Sequence, residues 1–100
     1  MTTFGSFDAL AADTPHAGVD RRVLATAKAT VQEYRFAPGA SYPIHHHPQE
    51  QVTVVLDGEI AFSAGGERRT LRPGEWSVVP GGVPHGVTAE WVKQLTAERL

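Results

Sequence analysis

Glycine and proline interrupt this chain roughly every eight to twelve residues, and no apolar periodicity of helical length survives between them. That punctuation confines the chain to short extended segments. It predicts an all-β fold with strands at about 19–26, 29–36, 42–47, 51–56, 59–64, 67–71, 76–79, 83–87 and 90–96. Asp57-Gly58 and Gly65-Gly66 read as hairpin turns, because glycine enters positive φ without a Cβ penalty. Pro73-Gly74 and Pro80-Gly81-Gly82 mark further turns. Before the first strand, Phe4 to Ala12 reads as a helical turn or irregular arm that Asp13-Thr14-Pro15 ends. The organisation expected is an arm over 1–18 and one domain over 19–100.

Parity along the strands selects side chains that share a face. In 29–36 the even positions Gln32, Tyr34 and Phe36 face one way, a blend of aromatic and amide groups suited to a pocket. Glu33 and Arg35 face the other way and suit solvent. In 42–47, His45 and His47 point together while His46 turns to the opposite face with Tyr42 and Ile44. Gln51, Thr53 and Val55 form a further inward row. Two imidazoles on one face can share a metal ion.

Two stretches carry most of the chemical information. The first runs from Gly39 through His45-His46-His47-Pro48-Gln49-Glu50-Gln51 to Gly58, and the second from Gly74 through Pro80, Gly82 and His85 to Ala89. Fifteen residues separate Gly58 from Gly74. At these positions the chain resembles the cupin superfamily, whose motifs run G-x5-H-x-H-x3,4-E-x6-G and G-x5-P-x-G-x2-H-x3-N. Gln51 stands where the first motif has glutamate and Ala89 where the second has asparagine, departures that bear on the metal and the chemistry more than on the fold. The resemblance implies a double-stranded β-helix, or jelly-roll barrel, with His45, His47, Gln51 and His85 as metal ligands. Glu50 is the alternative fourth ligand, but the motif spacing and the parity of the 51–55 row select Gln51.

Neutral nitrogen and amide oxygen donors suit Zn, Ni, Fe, Mn or Co rather than calcium or magnesium. An amide in place of a carboxylate leaves the full metal charge in the site, which favours anionic bidentate oxygen ligands. The Pro48-Gln49-Glu50-Gln51 run is similar to that of small cupins acting on sugar acids and polyketides. The resemblance therefore implies a Lewis-acid isomerase, cyclase or lyase for an oxygenated metabolite. Metal-dependent dioxygenases and non-catalytic binding modules are the other classes in the superfamily. Tyr34 and Gln32 are candidates to position a substrate, and Glu50 or His16 to move a proton.

A net charge of −2, with Arg21-Arg22 and Arg68-Arg69 as isolated pairs, predicts no nucleic-acid partner. The longest apolar run, Val52 to Leu56, has strand length, so no membrane span is expected. Cysteine is absent, excluding disulfides and thiolate ligands. Met1 to Asp13 lacks the basic start and apolar stretch of a secretory leader, and a cytoplasmic location is the default expectation. A chain of 100 residues buries only about 60 to 65% of its unfolded surface. Help from a metal or a partner is thus expected, the partner being a second copy paired through sheet edges and the face carrying Tyr42, Ile44 and His46.

Overall fold

The computed structural model describes residues 2 to 99, with side-chain environments through residue 88. The arm makes one 3-10 turn at Phe7–Ala9, where Ser6 Oγ accepts the Asp8 N–H. Eight strands follow: β1 Asp13–His16, β2 Val19–Ala25, β3 Ala29–Phe36, β4 Ser41–His45, β5 Gln51–Ala64, β6 Glu67–Leu71, β7 Trp76–Val79 and β8 His85–Arg99. All pairings are antiparallel, and the fold is the jelly-roll barrel of two sheets. The Asp13-Thr14-Pro15 run is a strand rather than a terminator, since Asp13 pairs with Arg21 and His16 with Val19.

Two long strands make the barrel. The sequence reading divides 51–64 at Asp57-Gly58 and 83–96 after Val87, but the structure keeps β5 and β8 continuous. Gly58, at φ 73°, serves a bend instead of a hairpin, and the β5–β8 register shifts between Val55 and Asp57 and again between Glu59 and Ile60. The reason is that both halves of β5 find a partner in β8, so the chain bends without reversing. The first half of β5 lies between β7 and β8, while its second half lies between β8 and β6. β8 is divided likewise: its end pairs with β3 and its start with β4. The Gly65-Gly66 hairpin forms as expected, with φ of 56° and 83° and Ala64 opposite Glu67.

The inward rows fill the barrel with Val19, Phe36, Val55, Ile60, Phe62, Leu71, Val79 and Val87, all buried. Each such side chain contributes about 1.5–3 kcal/mol on burial. Gln32, Tyr34 and Phe36 join this interior, as their parity predicts. Glu33 does not face solvent as expected. It is buried, with Arg35 Nη2 at 3.3 Å from its Oε1. The arm supplies the cover: Arg35 bonds Asp8 at 2.9 Å, and Arg22 Nε donates to the Leu10 carbonyl at 3.2 Å.

Candidate metal centre

Three local devices bring the histidines together. His45, the last residue of β4, lies directly opposite His85, the first residue of β8. Close approach of these strands depends on Gly86, where a Cβ would meet the Ile44 Cγ1 at 3.0 Å and the Tyr42 carbonyl oxygen at 3.1 Å. His47 lies beyond β4, and the 80–82 turn holds its loop, Gly82 N–H donating to the His47 carbonyl at 2.7 Å. Gly81 makes that contact possible, since a Cβ there would fall 2.1 Å from the Pro48 oxygen. The imidazole donor atoms of His45, His47 and His85 thus lie within 4.8 Å of one another.

Hydrogen bonds set what this cluster presents. Each ring places Nδ1 against a backbone carbonyl: His45 on Pro43 at 2.9 Å, His47 on Gln49 at 3.0 Å and His85 on Val83 at 2.8 Å. A carbonyl can only accept, so a neutral ring oriented this way carries its proton on Nδ1 and leaves Nε2 as the atom that can ligate a metal. Gln51 is oriented just as firmly. Its Nε2 donates to Thr53 Oγ1 at 3.0 Å, which turns Oε1 to within 3.0 Å of His47 Nε2 and 3.1 Å of His85 Nε2. The amide oxygen and the imidazole nitrogens thus converge at distances from which they can share one cation. The donor set therefore fits a divalent ion of the borderline class.

The walls differ from the sequence reading in one respect. Tyr42 does not share an outer face with Ile44 and His46. Its ring lies 4.8 Å from that of His45, 5.8 Å from that of Tyr34 and 4.5 Å edge-on from that of His16. The β4–β8 register shifts between Tyr42 and His45, so the parity count slips across Pro43 and Ile44 and both Tyr42 and His45 turn inward. Ile44 remains 71% exposed. His46 and Glu50 are also exposed. His16, half-buried against Tyr42, closes the outer end of this aromatic row.

Behind Tyr34 runs a polar network that strand-by-strand reading missed. Tyr34 donates to Gln32 Oε1, and Arg21, its register partner on β2, lies against the same hydroxyl. Arg21 in turn grips Asp13 with Nε and Nη2. That guanidinium holds the Asp13 carboxyl below the usual carboxylate range, and Asp13, followed by Tyr34, raises Arg21 further. The signal for Arg21 was cross-strand: only the β1–β2–β3 register places Asp13, Arg21 and Tyr34 in one line. For Tyr42 the available signal was Pro43, since proline inside a strand marks an edge or a bulge.

A jelly roll that gathers three histidines at one end of the barrel can hold a metal ion there. The Cupin domain family model matches residues 32–95, and the chain belongs to that family. No curated protein sequence matches it. Among solved structures it is similar to an RmlC-like cupin from Shewanella frigidimarina, with TM-score 0.91 and 22% identity over 99% of this chain and 91% of that one. KdgF from a Halomonas species superposes with TM-score 0.90 and 23% identity, covering 99% and 94% of the two chains. The polyketide cyclase RemF from Streptomyces resistomycificus gives 0.85 and 21%, over 99% and 80%. Likeness at this identity establishes the fold.

Proposed function

We propose that the protein binds one divalent transition metal through His45, His47, Gln51 and His85 and acts as a Lewis-acid isomerase, cyclase or lyase on an oxygenated small metabolite. The observation that carries this reading is the convergence of His45, His47 and His85 donor atoms within 4.8 Å of one another, with Gln51 Oε1 at 3.0 and 3.1 Å from the Nε2 atoms of His47 and His85. Bound there, the ion would polarise a substrate carbonyl or enolate oxygen, with no ligand carboxylate to offset its charge. Similarity in fold to a polyketide cyclase supports a polyketide as the substrate, and the Pro48-Gln49-Glu50-Gln51 run supports a sugar acid as the other class.

The remaining roles belong to the pocket walls. Tyr34 directs its proton to Gln32, so its hydroxyl is an oriented group rather than a free rotor. The Gln32 amide N–H groups have no partner among the described residues and are available to a substrate oxygen. Tyr42 bounds the same space, with His16 packed edge-on behind it. Glu50, exposed at the head of β5, is the candidate to exchange a proton with solvent.

One observation favours a second reading, a metal-binding module without turnover. The cavity beside the histidines is only about 20 Å³, room for about one water. A substrate therefore requires lining side chains, Tyr42 among them, to move.

Metal analysis tests the site. The His45→Ala, His85→Ala double variant should lose nearly all metal when purified without chelator, and stoichiometric metal in it would refute the ligand assignment. Metal-dependent turnover of sugar-acid or polyketide substrates under nitrogen is the result expected for the Lewis-acid enzyme. Oxygen uptake by iron-loaded protein would assign a dioxygenase instead, and metal binding without either activity would assign the module.

A further inference from the structure

A cleft much larger than the cavity at the histidines lies elsewhere on the barrel. No ladder joins β6 to β7 among the described residues, so the barrel is open along that flank. The opening encloses about 540 Å³. Beneath a mostly polar lining, the buried side chains of Phe62, Leu71 and Val79 form its apolar floor. Phe62 also separates this cleft from the metal site, its ring stacked at 6.4 Å on His85.

The wall on β6 is cationic in an unusual way. Arg21, Arg22, Arg35 and Arg72 each have a partner: Asp13, the Leu10 carbonyl, Asp8 with Glu33, and Glu59. Arg68 and Arg69 have none among the described residues, and both line the cleft. Arg69 pairs in register with inward-facing Phe62, which aims it over the apolar floor, whereas Arg68 also rims two smaller hollows on the outer face. Across the cleft, the Ser77 hydroxyl on β7 is buried without a hydrogen-bond partner among the described residues. Among the described residues Glu67 is the one acidic lining residue, so two guanidiniums face one carboxylate.

We propose that the β6–β7 flank is a second binding site, separate from the metal centre, for a small amphipathic anion: a carboxylate on an aromatic or branched apolar body. Arg69 takes the carboxylate through its forked N–H groups, with Arg68 adding charge at the rim, and Phe62, Leu71 and Val79 receive the apolar body. A free guanidinium over a greasy floor selects against two alternatives at once. A neutral hydrophobe leaves the cation without a partner, and a hydrated inorganic anion leaves the floor wet.

Benzoate is the probe, and benzamide, which has nearly the same shape without the charge, is the control. Both are titrated into the full chain after metal removal and followed by amide chemical shifts. Benzoate should give saturable shifts centred on β6, β7 and Phe62, and benzamide should not. Arg69→Gln should weaken benzoate about tenfold or more, Arg68→Gln less. The His45→Ala, His85→Ala variant should bind benzoate unchanged, so failure of the metal assignment and failure of this one are distinguishable. Absence of saturable shifts, shifts confined to the histidine end of the barrel, equal binding of benzamide, or an unaffected Arg69→Gln variant would each overturn the proposal. So would protection of the β6 and β7 edge amides by self-association that leaves no room for benzoate.

Discussion

Thr53 shows how much a single hydroxyl decides at this site. It is fully buried, and its Oγ1 is the acceptor that tells the two ends of the Gln51 amide apart. A carboxylate has no wrong end, but an amide flipped by half a turn would offer N–H groups to a cation. Thr53→Val keeps the shape and removes the acceptor, so metal affinity should fall by about 10- to 100-fold, while Thr53→Ser should retain it. Chelator competition on both variants measures this, and equal affinities would show that Gln51 is held by something else. Tyr34 is the second residue whose hydroxyl matters. Because that hydroxyl bonds Gln32 inside the barrel instead of facing water, Tyr34→Phe leaves a buried amide oxygen short of a donor. A stability loss of about 1–3 kcal/mol by denaturant unfolding is expected. A loss near zero would mean that water reaches Gln32.

At the scale of elements, the site depends on two loops touching where side chains would keep them apart. Gly81→Ala puts a methyl group 2.1 Å from the Pro48 oxygen, so the turn must withdraw and take its support from the His47 loop. Gly82 provides the control. It has φ of +82° and open space around it, so alanine there meets only backbone strain of about 1–2 kcal/mol. Gly81→Ala should weaken metal binding more than Gly82→Ala, even where their unfolding midpoints are similar. The opposite order would indicate that the His47 loop holds its position without the turn.

For the whole molecule, the open flank and the exposed Ile44 and Trp76 bear on association. We expect a homodimer, paired through sheet edges, with Ile44 on the outer face of β4 and His46 just beyond that strand in the contact. Light scattering at micromolar concentration should return about twice the 10.8 kDa chain mass. A value near 11 kDa would reject the dimer. The N-terminal arm contacts its own β2 and β3 through Arg22 and Arg35, so it serves the chain's own sheet in a single copy. Deleting Met1 to Ala12 should weaken association only if the arm also reaches a neighbouring subunit, and should expose Glu33 in either case.

What the sequence by itself determined is what local stereochemistry determines. Strands β3, β6 and β7 have the bounds their punctuation predicts, the Gly65-Gly66 hairpin forms, and parity places Gln32, Tyr34, Phe36, Gln51 and Thr53 inside. The motif spacing likewise brought three histidines into view before any fold was known. Tertiary structure decided the rest wherever a distant partner overrode a local signal. Asp57-Gly58 has hairpin chemistry, yet β8 pairs both halves of β5 and turns the break into a bend. Tyr42 has outward parity, yet a register shift against β8 brings it to His45. Arg21 and Asp13 carry no motif and join Tyr34 only through the ladders among β1, β2 and β3. Dihedral preferences act between adjacent residues and can be read along the chain. Register is set by which strands share hydrogen bonds, and that becomes defined only when the barrel closes.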